Sequence, residues 1–167
     1  MGGNDIYSCS KGCSELITNA FRKSFYERHQ AVLATVRAGN VIGGGDWSTN
    51  RLVPDIIRAF SRGEKVKLRN PMSIRPWQHV LEPLSGYLLL AEKIYGKGRE
   101  YEGAWNFGPG STGEITVQEL TRRLSEVWGE GSKWAVVENT FPPESNFLKL
   151  DCTKAIELLG WNPRLSI

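Results

Sequence analysis

The chain has 167 residues, 40% hydrophobic and 23% charged, enough apolar material for one domain-sized core in an ordinary globular composition. A formal charge of +3 with no block of like charges excludes a strongly basic nucleic-acid binder. The three cysteines, Cys9, Cys13 and Cys152, are odd in number and lack framework spacing, which excludes a secreted disulfide scaffold.

Cys9 and Cys13 have no second pair of ligands, so no metal site is expected. Met1-Gly2-Gly3-Asn4-Asp5 has no basic segment followed by an apolar one, the pattern of a secretory leader. The longest apolar-leaning run, Tyr87 to Ala91, is far too short to span a bilayer. A cytoplasmic protein is the default expectation.

In chain order, Ser8 to Arg28 reads as a long helix, with Leu16, Ile17, Ala20, Phe21 and Phe25 at helical spacing. Asp5 or Ser8 is placed to cap it. Ala31 to Arg37 is a short run that suits a buried parallel strand. A glycine-dense loop, Ala38 to Asn50, follows. A helix is predicted over Leu52–Arg62, with Pro54 tolerable in its first turn. Lys65 to Leu68 reads as a strand, Asn70 to Trp77 as a loop with two prolines, and Pro83 to Ile94 as a helix. Trp105 to Phe107 is a strand fragment. Thr116, with Glu119 three residues on, makes a capping box for a helix that runs to about Trp128. Trp134 to Val137 and Phe147 to Leu150 are strand candidates, and Phe141 to Ser145 is a proline-bearing loop. Thr153 to Leu159 is a last helix, stopped by Gly160.

Helices that alternate with short strands define an α/β class. The first strand arrives only after a long helix, so the sequence enters its fold midway. The strand, G-x-G-x-x-G, helix turn that holds a dinucleotide pyrophosphate is nowhere in these residues. Gly43-Gly44-Gly45 follows a strand but lacks that spacing.

Tyr7-Ser8-Cys9-Ser10-Lys11 places a phenol and an ammonium four residues apart, on one helix face. A nearby ammonium favours phenolate over phenol. Such a phenol can take a proton from an alcohol while a hydride leaves the same carbon. The lysine can also bond a ribose hydroxyl. Taken alone, the spacing equally fits a surface helix start with a satisfied tyrosine.

The surroundings of that pair carry more. The segment from Asp5 to Leu16 resembles the catalytic helix of extended short-chain dehydrogenases. Val36-Arg37-Ala38-Gly39-Asn40-Val41-Ile42-Gly43-Gly44-Gly45-Asp46-Trp47 is similar to the next segment of that family, in the form found in its CDP-glucose 4,6-dehydratase branch. So are Asn50-Arg51-Leu52-Val53-Pro54-Asp55 and Ile74-Arg75-Pro76-Trp77-Gln78-His79-Val80-Leu81-Glu82-Pro83. Trp105-Asn106-Phe107-Gly108-Pro109 and Asn146-Phe147-Leu148-Lys149-Leu150-Asp151 complete a collinear match from Gly2 to Pro163. Ile6 stands where the family usually has proline, and Asn4 departs as well; neither touches the chemistry.

The resemblance implies the C-terminal part of an NAD(P)-binding Rossmann-like fold joined to a small α/β substrate-binding domain. Residues 1–45 would be the Rossmann remnant, and 46–167 mainly the nucleotide-sugar domain, with about 70–108 returning to pack on the Rossmann part. Family members are longer, and the opening residues look like an internal stretch. The glycine-rich turn, and the acid/base pair that these dehydratases place ahead of the tyrosine, would lie upstream.

The implied activity is a lyase cycle on CDP-glucose with bound NAD. The sugar is oxidised at C4, water is eliminated across C5 and C6, and hydride returns to C6. This places the protein in 3,6-dideoxyhexose supply for O-antigen, with the isolated chain inactive. Tyr7 and Lys11 are the implied catalytic pair, and with Ala38 and Asn40 they face NAD. Asn40, Arg51, Arg75 and Trp77 are the implied sugar-nucleotide contacts, since a guanidinium fork meets phosphate oxygens two at a time. The flat rings of Trp47 and Trp77 suit a sugar or base, or a core. His79 is expected to be structural. Glu144 and Asn146 are further candidates for the nucleotide pocket. The resemblance also implies a homodimer through long helices, with no nucleic acid or membrane partner. The alternatives are a non-catalytic nucleotide-sugar-binding or dimerising remnant, or a sugar-nucleotide epimerase, reductase or other dehydratase of the same family.

Overall fold

The structure, a computed structural model, describes residues 5–110, 113–137 and 147–167. The expected loop from Phe141 to Ser145, and the candidates Glu144 and Asn146, lie outside the described residues.

The elements run α1 (Ile6–Phe21), β1 (Ala34–Ala38), β2 (Asn40–Ile42), α2 (Leu52–Ser61), β3 (Lys65–Leu68), β4 (Ile74–His79), α3 (Leu81–Lys97), β5 (Gly103–Phe107), β6 (Glu114–Thr116), α4 (Val117–Trp128), β7 (Lys133–Val136) and α5 (Thr153–Leu159). A single π-type turn, Arg22–Tyr26, extends α1, and a 3-10 turn, Gly98–Tyr101, precedes β5. Strand pairs between segments far apart in sequence, mostly parallel and separated by helices, make this an α/β structure.

The chain divides into two compact units. One gathers the chain as far as Ala38, then Pro83–Phe107 and Asp151–Asn162. Its β1 and β5 pair in parallel, from Ala34 opposite Gly103 to Ala38 opposite Phe107. Trp105 and Phe107 alternate inward from β5 and are fully buried, with Leu90, Tyr101, Ala155, Leu159 and Trp161 around them. The buried indoles are satisfied: Trp105 Nε1 donates to the Tyr101 carbonyl at 2.9 Å, and Trp161 Nε1 to Ser85 Oγ at 3.0 Å. Lys154 lies over the Trp105 ring, 3.9 Å from its centroid. Burial, and then the charges of Arg22 and Arg37, hold its ammonium below the usual lysine range.

The other unit comprises Gly39–Glu82, the described part of Gly108–Leu150, and Pro163–Ile167. Here β2, β4 and β6 form a mixed sheet with β4 in the middle, and β3 pairs in parallel with β7. Ile56, Phe60, Val66 and Leu68 make its core. Glu82 is buried and accepts the backbone N–H groups of Arg164 and Leu165, which pins the chain end within the unit.

The structure departs from the sequence expectation in the glycine-dense and proline-bearing loops, where β2 and β4 form. Gly39 makes the approach possible, because any Cβ there would collide with the Pro76 carbonyl oxygen. Pro76 is tolerated because it sits where β4 changes partner. Residues 74–76 pair antiparallel with β6, and Trp77 to His79 pair in parallel with β2. Phe147 makes a lone bridge to Ile74 in place of the expected strand.

Thr116 caps α4 as its spacing predicts, accepting from Glu119 N at 3.1 Å. The Glu119 carboxylate does not complete the box; it takes bonds from Arg122 and Arg123. Those guanidiniums, Arg122 first, lower its pKa from 4.5 to about 2. Because the folded value lies below the unfolded one, the contribution is full above the ordinary glutamate range. It fades as pH falls toward the folded value. Glu119→Gln is therefore expected to lower the melting temperature at neutral pH, and the gap to wild type closes in acid. A gap that is constant with pH would assign the effect to packing.

Candidate functional site

Helix α1 begins at a well-formed cap. Asp5 accepts Ser8 N at 2.9 Å and Ser8 Oγ at 2.6 Å. Those two bonds, the hydroxyl's first, hold its carboxyl below the usual carboxylate range. The cap fixes the first turn, which carries Tyr7. Along the same helix Ser10, Ser14 and Thr18 fold their hydroxyls back onto the carbonyls of Tyr7, Ser10 and Ser14. Those hydroxyls are satisfied locally.

Tyr7 and Lys11 lie one turn apart, with Lys11 Nζ 5.6 Å from the centre of the Tyr7 ring. Both are exposed; Tyr7 keeps 71% of its surface. The pair is brought together as the spacing requires. The phenol oxygen and the ammonium are both open to a hydroxyl-bearing ligand. A buried pair would not accept one.

One more turn along that face is Glu15. Its carboxylate accepts Thr35 Oγ1 at 2.9 Å and lies 3.9 Å from Arg37 Nε. The three residues line a cleft of about 240 Å³ with Arg22, Leu33 and Gly103. Sequence reading passed over this triplet. Glu15 continues the Tyr7, Lys11 spacing by four, but nothing in the sequence ties it to β1.

Of the remaining candidates, Ala38 closes β1, opposite Phe107. The others belong to the second unit. Asn40 opens β2 opposite Trp77. Arg51 is exposed at the start of α2, its guanidinium 2.8 Å from Asp46 Oδ2. Asp46 also accepts Ser48 N, and these contacts hold its carboxyl below the ordinary range, the Ser48 N–H bond most of all. Arg58 donates to the Trp47 and Ser48 carbonyls, so the glycine-dense loop is held from two sides. Arg75 lies in β4 opposite Ile115 and is half-buried.

Trp77, an implied sugar-nucleotide contact, lies in β4. It is 5% exposed, and its indole N–H donates to the Ile115 carbonyl at 3.3 Å. Pro76, Trp77 and Gln78 are buried in succession, so this part of β4 is covered on both faces and the Trp77 ring packs within its own unit. Trp47 is the exposed ring of the two. His79 accepts Leu81 N on Nδ1 and serves the start of α3. Among the described residues no cluster of His, Cys, Asp or Glu could hold a metal ion. No helix among them is long and apolar enough to cross a membrane.

Comparison with known proteins adds the following. Residues 2–107 match the model of the NAD dependent epimerase/dehydratase family. Over 98% of its length the chain is 52% identical to a CDP-glucose 4,6-dehydratase of Salmonella typhimurium, of which it covers 47%. It is 28% identical, over 96% of its length, to a dTDP-glucose 4,6-dehydratase of Streptomyces antibioticus, covering 45% of that protein. The chain thus spans about half the length of the curated relatives it matches. Among solved structures, a UDP-glucuronic acid 4-epimerase from Bacillus cereus superposes with a TM-score of 0.80 at 16% identity, over 96% of this chain and 48% of that one. The dTDP-glucose 4,6-dehydratase DesIV from Streptomyces venezuelae gives 0.75 at 22% identity, over 96% and 46%. These likenesses establish that the fold is one found within about half of such a chain.

Proposed function

Because the chain belongs to the NAD dependent epimerase/dehydratase family, we propose that it is the substrate-side half of a sugar-nucleotide 4,6-dehydratase acting on CDP-glucose. The observation that carries the reading is the exposed Tyr7–Lys11 pair on a capped helix, in a chain so similar to a CDP-glucose enzyme.

In this reading Tyr7, as the phenolate, takes the proton of the sugar 4-hydroxyl and becomes the phenol. The Lys11 ammonium, one turn on, stabilises the phenolate and bonds a ribose hydroxyl of the cofactor. NAD, when bound, supplies the hydride acceptor and donor. Ala38, which ends β1, and Asn40, which opens β2, are the further residues that would contact it. A ketone at C4 acidifies the C5 hydrogen, which is why transient oxidation enables loss of water across C5 and C6. The net redox change is zero, so the reaction class is a lyase. Asn40, Arg51 and Arg75 hold the sugar nucleotide, the two guanidiniums on the diphosphate.

Residues 1–45 act as the Rossmann part, and 46–167 mainly as the nucleotide-sugar domain. The product feeds 3,6-dideoxyhexose and O-antigen synthesis in the cytoplasm. Leu16, Ile17 and Phe21 on α1, with Leu84 and Leu88 on α3, are exposed apolar side chains on long helices. They support a homodimer formed through those helices.

The test uses CDP-glucose deuterated at C4. A complete polypeptide that contains this segment should return product with deuterium at C6. Deuterium retained at C4 of an inverted sugar would make the reaction an epimerisation. The 167-residue chain alone should give no product with NAD present, and a 4-keto sugar from it would overturn that part.

A further inference from the structure

We propose that Glu15, held by Thr35 and Arg37, is the positioning residue that sets the rotation of the Tyr7–Lys11 face. The inference rests on the catalytic reading of that pair given above.

Helix α1 buries none of its side chains fully. Within this chain packing therefore leaves the roll of α1 only weakly set, since its apolar side chains Leu16, Ile17 and Phe21 stay about half-exposed. Arg99 donates to the Tyr26 and His29 carbonyls, which anchors the chain beyond the helix end. That contact lies past the last helical turn and leaves the roll of the first turns unset.

The lateral anchor is Glu15. Tyr7, Lys11 and Glu15 follow at steps of four, so they spread over only about 80° of the helix circumference, and Glu15 sits about 12 Å along the axis from Tyr7. Thr35 and Arg37 are two apart in β1 and share one face of the strand. Both meet the same carboxylate, Thr35 Oγ1 at 2.9 Å and Arg37 Nε at 3.9 Å. Their strand is itself fixed by β5, Thr35 opposite Ala104 and Arg37 opposite Asn106. One hydrogen bond from Thr35 and the longer-range charge of Arg37, both on one strand face, act on the same carboxylate and bias the angle of the helix as well as its distance.

Magnitude decides what the contact is for. The Glu15 and Arg37 side chains are 27% and 45% exposed, and exposed pairs of this kind add little to stability. At the outer side-chain radius of about 5 Å, a roll of about 10° moves a side chain's functional end by about 0.9 Å. A displacement of that size at a reacting group can lower a rate by roughly 100-fold. The triplet should thus matter far more to turnover than to melting.

The experiment compares Thr35→Val, Thr35→Ser and Arg37→Gln in the complete polypeptide, with Tyr7→Phe measured alongside. Thr35→Val keeps the shape and removes the donor. It should lower kcat by about 10-fold or more with KM for the sugar nucleotide unchanged and the melting temperature nearly so. Thr35→Ser should restore the rate. In the 167-residue chain, Thr35→Val should speed amide hydrogen exchange in the first half of α1.

An unchanged kcat in Thr35→Val overturns the proposal. So does a loss of rate that tracks melting temperature in both the valine and serine variants. Should the valine variant fail to fold, Arg37→Gln carries the same two outcomes. A fully active Tyr7→Phe would sink the catalytic reading itself, a result distinct from either.

Discussion

Gly86→Ala is expected to destabilise the first unit by roughly 2 kcal/mol or more, although helix propensity alone favours the opposite sign. Gly86 lies inside α3, where alanine is ordinarily better than glycine by about 1 kcal/mol. A Cβ at this position, however, would enter the Phe107 ring. That ring cannot move aside. Phe107 is fully buried, with Tyr87 set against it edge-on at 5.5 Å and Trp161 at 5.1 Å between ring centres. Overpacking a pinned core typically costs about 1–3 kcal/mol and occasionally more, so the collision outweighs the propensity gain.

Gly96 supplies the control on the same helix: a Cβ there meets nothing within 4 Å. Gly96→Ala should hold or raise the melting temperature, and Gly86→Ala should lower it by roughly 4–8 °C. Equal responses at the two glycines would mean that α3 does not pack on Phe107 as described.

The contrast between those glycines marks what sequence could reveal. Gly86 sits within the legible apolar pattern and Gly96 just past its expected end at Ile94, yet both belong to α3, and only the fold shows what each one faces. The same holds more widely. Helices were readable where a period coincided with a cap: Asp5 before α1, Thr116 before α4, and Gly160, at φ 69°, after α5. Strand β3 was readable because Val66 and Leu68 alternate with lysines, and both are buried. Strands β2 and β6 have three residues each, too few for a period to register. Strand β4 was masked by Pro76, whose place at a change of pairing partner exists only once β2 and β6 are in position.

The site divides in the same way. Tyr7 and Lys11 are legible because an i, i+4 pair needs only a helix. Trp77 was ambiguous because an aromatic side chain suits a pocket and a core equally, and its burial follows from β4 lying between β2 and β6, which the sequence does not display. Glu15 was invisible as a partner of Thr35 and Arg37, since a contact across 20 residues depends on how α1 lies over β1.

The most direct measurement is the turnover of Tyr7→Phe in a complete polypeptide with CDP-glucose, beside the affinity of the same variant for that sugar nucleotide. Phenylalanine keeps the ring and its place at the first turn of α1, and deletes only the oxygen. A group that moves a proton in the transition state typically supplies between about 100- and 10,000-fold in rate. The expected result is therefore a fall in kcat of about 1,000-fold, roughly 4 kcal/mol of barrier, with affinity unchanged. The phenol would then be acting on the reaction and not on binding. A variant that turns over at the wild-type rate would contradict the account, for it would leave the Tyr7–Lys11 face with no chemistry to perform.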